Sequence, residues 1–355
     1  MSPVESFHRP RIASLVVRQH AELVAFLWVQ RESLLAQEPP AAVAAKDIDD
    51  RIEANMDGLR IAGQAAWPSL HQQLQDYPDS GELFAFAWTA IEFNDPVRLS
   101  EAVGHARELT PSPDGFIGAL RWHAADRIGP HVRDWITDAD AFKRFLGVSA
   151  CLAHSVDPKY LLPRLARDPD PRVRAAGLRL VGVLKRTDLA GEANAALNDS
   201  DESARFWSAW SLVELGHARL AQNALRAAVE TPGKDRLIAL RAAIKGGPET
   251  EVRAWLGGLM QSPQTASIAV RSIGMWGDRG RLGWLVERMR EPPVSIAAGA
   301  SFAELFPEAP WDELSSADMT EVGPDFVDYF SDSIVRVPLA DKVAEWGRAA
   351  GALRD

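Results

Sequence analysis

The chain has 355 residues, and its 39 Lys and Arg against 49 Asp and Glu leave a net charge of −10. That balance argues against general affinity for nucleic acid, whose phosphates need a basic footprint, although local basic stripes stay open. No apolar run approaches the roughly 20 residues of a spanning helix. The apolar stretch Leu23 to Val29 lacks a nearby cleavage site, so neither a membrane span nor a signal peptide is expected. The single cysteine, Cys151, excludes an intrachain disulfide framework and fits a reducing cytoplasm.

In chain order, the N-terminal part reads as two long helices. The first runs from about Arg11 to Gln37, with Ile12, Leu15, Val16, Leu23, Phe26, Leu27 and Leu34 on a broad apolar face, and Pro39-Pro40 ends it. The second begins near Asp47, with Asp49, Asp50 and Glu53 where a helix dipole favours negative charge. It turns Ile48, Ile52, Met56, Leu59 and Ala62 inward and continues towards Leu74. A helical hairpin of this kind suits the end of a stacked array, which needs a cover.

From about Ser80 the helices become short and paired, at roughly 80–109, 113–138, 140–167, 170–198, 201–230, 233–261 and 263–291, with a single helix at 293–306. The stretch 168–186 shows the unit best. Asp168-Pro169-Asp170-Pro171 makes a turn in which Asp170 can cap the next helix and Pro171 sits where no amide donor is needed. Val173, Ala176, Leu178, Leu180, Val181 and Leu184 then recur at helical spacing, and Ala175, Ala176 and Gly177 allow close helix approach. Small residues at Ala209, Ala239, Ala269 and Gly299 keep a period of 30, followed one turn later by Val213, Ala243, Ile273 and Ala303.

Beyond the array the chain changes character. Nine acidic residues and no Lys or Arg lie between Glu304 and Val335, with Pro307, Pro310, Gly323 and Pro324 breaking any long helix. A last helix starts near Leu339 and includes Val343, Trp346 and Leu353. The expected fold is therefore an all-α right-handed solenoid: a helical hairpin cap over 1–78, a repeat array over 79–306 and an irregular acidic cap over 307–355.

The 168–186 unit resembles a HEAT-like repeat, of the short type also seen in bilin-lyase-related proteins. Further segments are similar to one proteobacterial family of HEAT-like-repeat proteins often encoded beside type VI secretion components. They are Val17–Glu22 with Phe26-Leu27-Trp28, the run Asp49–Gly63 with Trp67, the Asp168–Gly182 unit, and Ala298–Phe302. The resemblance carries over no catalytic residue. The C-terminal segment is shorter than in that family, so no role is carried over to it either.

Chemistry-bearing patterns are sparse. Cys151 and His154 lie three apart on one helix, but a buried cysteine is the simpler reading. Trp122-His123 with Asp126-Arg127 sets a histidine near a carboxylate, in the manner of a surface ion pair. HExxH and CxxC are absent, and Asp199–Ser203 and Gly274–Gly280 lack the spacing of calcium and phosphate loops. No cofactor, metal or catalytic residue is expected. More telling are the twelve tryptophans and a run of arginines on the second helix of each pair, which in HEAT-like arrays lines the concave side. Trp and Arg dominate interface hot spots. Arg164, Arg167, Trp207, Trp210, Arg226, Arg253, Trp284 and Arg288 are the candidate anchors for a protein partner.

These readings point to a non-catalytic protein-binding scaffold. The family resemblance implies a cytoplasmic adaptor, chaperone or immunity-like partner of a type VI secretion component or effector. The alternatives are a nucleic-acid-binding or base-excising repeat protein, which needs a continuous basic cleft, and a bilin-lyase-like enzyme, which needs a deep apolar pocket with a reactive group.

Overall fold

The computed structural model describes residues 13–37, 40–109, 113–233, 235–317 and 336–353. The chain divides into two compact units, Met1–Ala36 with Ala41–Asp138, and Gln37–Pro40 with Ala139–Asp355.

In the first unit, α1 (Ser14–Ala36) and α2 (Ala42–Ala62) are the long helices expected, but α2 stops short of Leu74. Gly63 takes φ +54° and ψ −130°, which glycine alone adopts cheaply, and its amide donates to the Leu59 carbonyl. A 3-10 turn follows, and α3 (Trp67–Asp76) restarts with Pro68 in its first turn. Then come α4 (Ser80–Glu92), α5 (Pro96–Glu108), α6 (Asp114–Trp122) and α7 (Ala125–Trp135). Asp79 and Asp95 cap α4 and α5 by accepting hydrogen bonds from amides two and three residues on. Every residue from Leu83 to Ile91 is buried. A helix can be apolar all round only when covered on all sides, and α1, α2, α3, α5 and α6 all contact α4. Trp28 stacks on Phe84 with ring centroids 4.9 Å apart, and Trp67 meets Phe86 at 5.2 Å.

The second unit holds an all-α helical repeat solenoid. Its first helices are α8 (Ala141–His154), α10 (Pro171–Val183), α12 (Glu202–Glu214), α14 (Arg236–Gly246), α16 (Ala266–Trp276) and α18 (Ser295–Leu305), with α9 (Leu162–Leu165), α11 (Ala190–Ala195), α13 (Ala218–Glu230), α15 (Glu249–Leu259) and α17 (Leu282–Met289) between them. Each first helix packs on the next first helix along the array. The period-30 positions explain this: Ala209, Ala239, Ala269 and Gly299 are all buried on these helices. A polar ladder fastens neighbouring repeats. Arg144 donates from Nε and Nη2 to the two Asp168 oxygens, both at 2.8 Å, and Arg174 does the same to Asp199 at 2.6 and 2.8 Å. Each arginine also ties down the turn before its own helix, Arg144 through the Ala139 carbonyl and Arg174 through that of Asp168.

The array ends in packed structure. After α19 (Trp311–Leu314), β1 (Ser315–Ala317) pairs antiparallel with β2 (Arg336–Pro338), placing Ser316 opposite Val337. Pro338 and Trp311 lie against Gly299, where a Cβ would come within 3.1 Å of them. The last helix, α20 (Ala340–Ala349), packs on α17, and Trp346 meets Phe302 and Phe306 edge-on at 5.3 and 5.5 Å. Most of the acidic run, 318–335, lies outside the described residues.

Candidate functional site

The eight sequence-selected anchors fall into separate groups within the second unit. Arg164 is exposed on α9, and Arg167, just beyond it, pairs with Glu192. Trp207 and Trp210 sit on α12, a first helix, with their rings 5.6 Å apart and edge-to-face. The Arg179 guanidinium lies 4.2 Å above the Trp207 ring. The remaining four anchors form a third group.

Those four, Arg226, Arg253, Trp284 and Arg288, lie on α13, α15 and α17, three successive second helices. Each arginine covers a tryptophan: Arg226 covers Trp255 at 5.3 Å, Arg253 covers Trp276 at 5.0 Å, and Arg288 covers Trp284 at 5.4 Å. The rings are half-buried fillers of the repeat core, so their inner faces pack and their outer faces carry a cation. Burial against Trp255 leaves Arg226 Nε and Nη2 without a hydrogen-bond partner, and the ring face is what receives their charge.

Arg253 and Trp284 also meet across a cavity of about 240 Å³. Its first wall is α15, through Arg253, Leu256, Gly257 and Met260. Its second is α16, through Ala269, Ser272, Ile273 and Trp276. Both sets have the i, i+3, i+4, i+7 spacing of one helix face. Asp278, Arg281 and Trp284 close the third side. The arginines at the rim are in exposed pairs, Arg253 with Glu249 at 2.9 Å and Arg281 with Asp278 at 3.2 Å. Exposed pairs of this kind contribute about 0.2–1 kcal/mol and exchange readily. Arg279, Arg288 and Arg290 likewise have carboxylate partners in Glu308, Glu291 and Glu287. From Arg253 to Arg290 the arginine run is thus neutralised pairwise, whereas the Arg226 charge is met by a ring.

Gly257, Met260, Trp276 and Arg281 complete the cavity but are absent from the sequence-selected set. A signal was available in Gly257-Gly258, because adjacent glycines in a helix cost about 1 kcal/mol each relative to alanine. Nothing lies within 4 Å of where a Cβ on either would stand, so packing within the chain does not call for them.

The other chemistry-bearing residues are accounted for structurally. Cys151 is buried, and burial pushes its thiol up to about 11. A thiol at that value is inert at neutral pH. His123 does not face Asp126. It stacks on Trp88 at 5.6 Å, donates from Nε2 to the Trp88 carbonyl at 3.1 Å, and turns Nδ1 towards Glu92 at 3.7 Å. Burial lowers its pKa, which keeps the imidazole neutral. Burial raises the Glu92 carboxyl, but hydrogen bonds from Arg60 at 2.9 Å and Arg127 at 3.0 Å outweigh this and hold it below its usual range. The Asp57–Gly63 segment is explained in the same way: Arg60 joins Asp57, Glu92 and the Trp88 face, and Gly58 lets the His20 ring lie against α2. Among the described residues no cluster of three or more His, Cys, Asp or Glu is placed to hold a metal ion. None of their helices is long and apolar enough to cross a membrane.

No curated protein matches the chain. Residues 158–245, from the turn before α9 to the end of α14, match the family of HEAT repeats, and over that span the chain is similar to HEAT-repeat proteins.

Proposed function

We propose that this chain is a non-catalytic protein-binding scaffold whose partner is gripped by the second helices of its array. The observation that carries this reading is the series of Arg-over-Trp pairs whose arginines lie on α13, α15 and α17, beside an open cavity. A surface of this kind is preformed by stacking, so little ordering cost opposes binding. The first helices hold the scaffold, with 1–78 as the N-terminal cap and 307–355 as the C-terminal one. The similarity to HEAT repeats supports protein interaction in general terms.

The finer reading is a cytoplasmic adaptor, chaperone or immunity-like partner of a type VI secretion component or effector. It rests on the sequence resemblance of Val17–Trp28, Asp49–Gly63 and Ala298–Phe302. Nucleic acid is the weaker partner, because a phosphate-binding stripe needs uncompensated arginines. The test is affinity capture from a proteobacterial lysate at moderate salt, with and without nuclease, read by mass spectrometry. One stoichiometric protein that survives nuclease is the expected result. Prey that vanish on nuclease treatment would overturn the scaffold reading.

A further inference from the structure

The cavity between α15, α16 and α17 has the features of a recognition pocket for one side chain, and they identify its chemistry. Its walls are apolar apart from Ser272 and the rim, and Met260, Trp276 and Trp284 are among the lining residues. Its volume of about 240 Å³ exceeds the ~150 Å³ cavity that suffices for a benzene ring, so a large aromatic side chain fits. Two guanidinium groups, Arg253 and Arg281, stand at the mouth, and Asp278 is the one carboxylate among the lining residues. The arginines' present partners, Glu249 and Asp278, are held in half-exposed pairs. An incoming carboxylate can displace such partners and make charge-assisted hydrogen bonds in their place.

Gly257 supplies a second, independent observation. It lines the cavity from within α15, where glycine is disfavoured, and no atom of this chain occupies the space before it. An absent Cβ there leaves room for close approach by something outside the chain, as when another backbone passes over a helix.

We infer that this cavity binds an acidic peptide segment of a partner protein, one aromatic side chain filling it, the peptide backbone crossing Gly257, and adjacent carboxylates pairing with Arg253 and Arg281. This names the chemistry of the partner and rests on the scaffold reading. A peptide suits the site better than a nucleic acid strand because the two arginines at the rim match two carboxylates, whereas a strand needs a longer run of uncompensated cations.

The test uses the full chain with 13C-methyl methionine, whose six methionines give few signals. Three peptides are titrated to about 1 mM, where even weak complexes are detected. One carries a single tryptophan flanked by aspartates, one has alanine for that tryptophan, and one has lysines for the aspartates. Oligodeoxythymidylate is the fourth probe. The expected result is a saturable shift of the Met260 methyl with the first peptide alone. Gly257→Leu should weaken it at least about tenfold with the thermal midpoint unchanged or raised, since leucine favours the helix and its Cβ meets no neighbour. Arg253→Glu with Arg281→Glu should weaken it to a similar degree.

Equal responses to the tryptophan and alanine peptides, undiminished binding in Gly257→Leu, or a Met260 shift with the oligonucleotide alone would each overturn the assignment. The wild type and Gly257→Leu then serve as baits in the capture experiment. A partner held equally by both, with Met260 silent to the peptide, sinks the cavity and leaves the scaffold. A saturable Met260 shift with no partner on either bait upholds the cavity and counts against the scaffold.

Discussion

The Arg144–Asp168 pair is the place where one substitution should do most damage to the repeat array. Asp168 is 2% exposed and Arg144 8%, and the carboxylate accepts both guanidinium hydrogen bonds and the Asp170 amide at 3.0 Å. Asp168→Ala removes all three hydrogen bonds and strands a buried guanidinium, for which about 3–5 kcal/mol is the expected loss. Opening of a repeat array is local, so hydrogen exchange read on peptides from α8 and α10 is the suitable assay. Protection there should fall about 100- to 4,000-fold, with α16 and α18 little affected, at about 1.4 kcal/mol per factor of ten. The double substitution Arg144→Met with Asp168→Leu should recover most of the loss, because it leaves no unpaired charge. About 1–2 kcal/mol should remain lost, for the Asp170 amide and the Ala139 carbonyl. A loss below about 1 kcal/mol in Asp168→Ala, typical of an exposed pair, would refute the reasoning. So would a double variant no better than the single one.

The other predictions concern the first unit and the cysteine. Burial and a hydrogen bond with Asp79 push the Glu82 carboxyl up to about 9 from 4.5. Below about pH 4.5 it is protonated whether folded or unfolded, and above that the unfolded chain releases a proton the folded one keeps. Its contribution to stability is therefore lost progressively as pH rises from 4.5 towards 9. Glu82→Gln should flatten that slope and add about 1 kcal/mol at pH 8 after solvent screening, as urea melts at pH 5 and 8 would show. An unchanged slope would count against it. Gly63→Ala places a Cβ where nothing obstructs it, so only the backbone conformation opposes it. A loss of about 1–2 kcal/mol in the same melts is expected, and a neutral result would mean that φ +54° is not maintained. Cys151, raised to about 11, should resist a thiol reagent at pH 8 until the chain is unfolded. Rapid labelling of the folded chain would overturn that burial.

Much of the array was legible because its signals are local. Asp170 and Asp201 sit one residue before their helices and accept amides within the next three residues, so the Asp-Pro and Asp-Glu steps mark helix starts directly. The short two-stranded sheet was not legible: its strands have three residues each and are paired across the 318–335 segment. Nor was the break at Gly63, since one glycine inside an amphipathic pattern is equally compatible with an uninterrupted helix. Among the anchors, Arg253 was chosen for residue type and its place on a second helix, and Trp284 as a tryptophan on a repeat helix. That they share a cavity depends on α16 passing between their helices.

The sequence by itself determined the helix pairs, their period and the small buried positions, because caps, turns and apolar spacing act within a few residues. Only the tertiary structure decided which arginine covers which tryptophan, that His123 turns to Glu92, and that space stays open before Gly257. Those outcomes depend on side chains brought together from separate helices, and no local pattern encodes the distance between two faces.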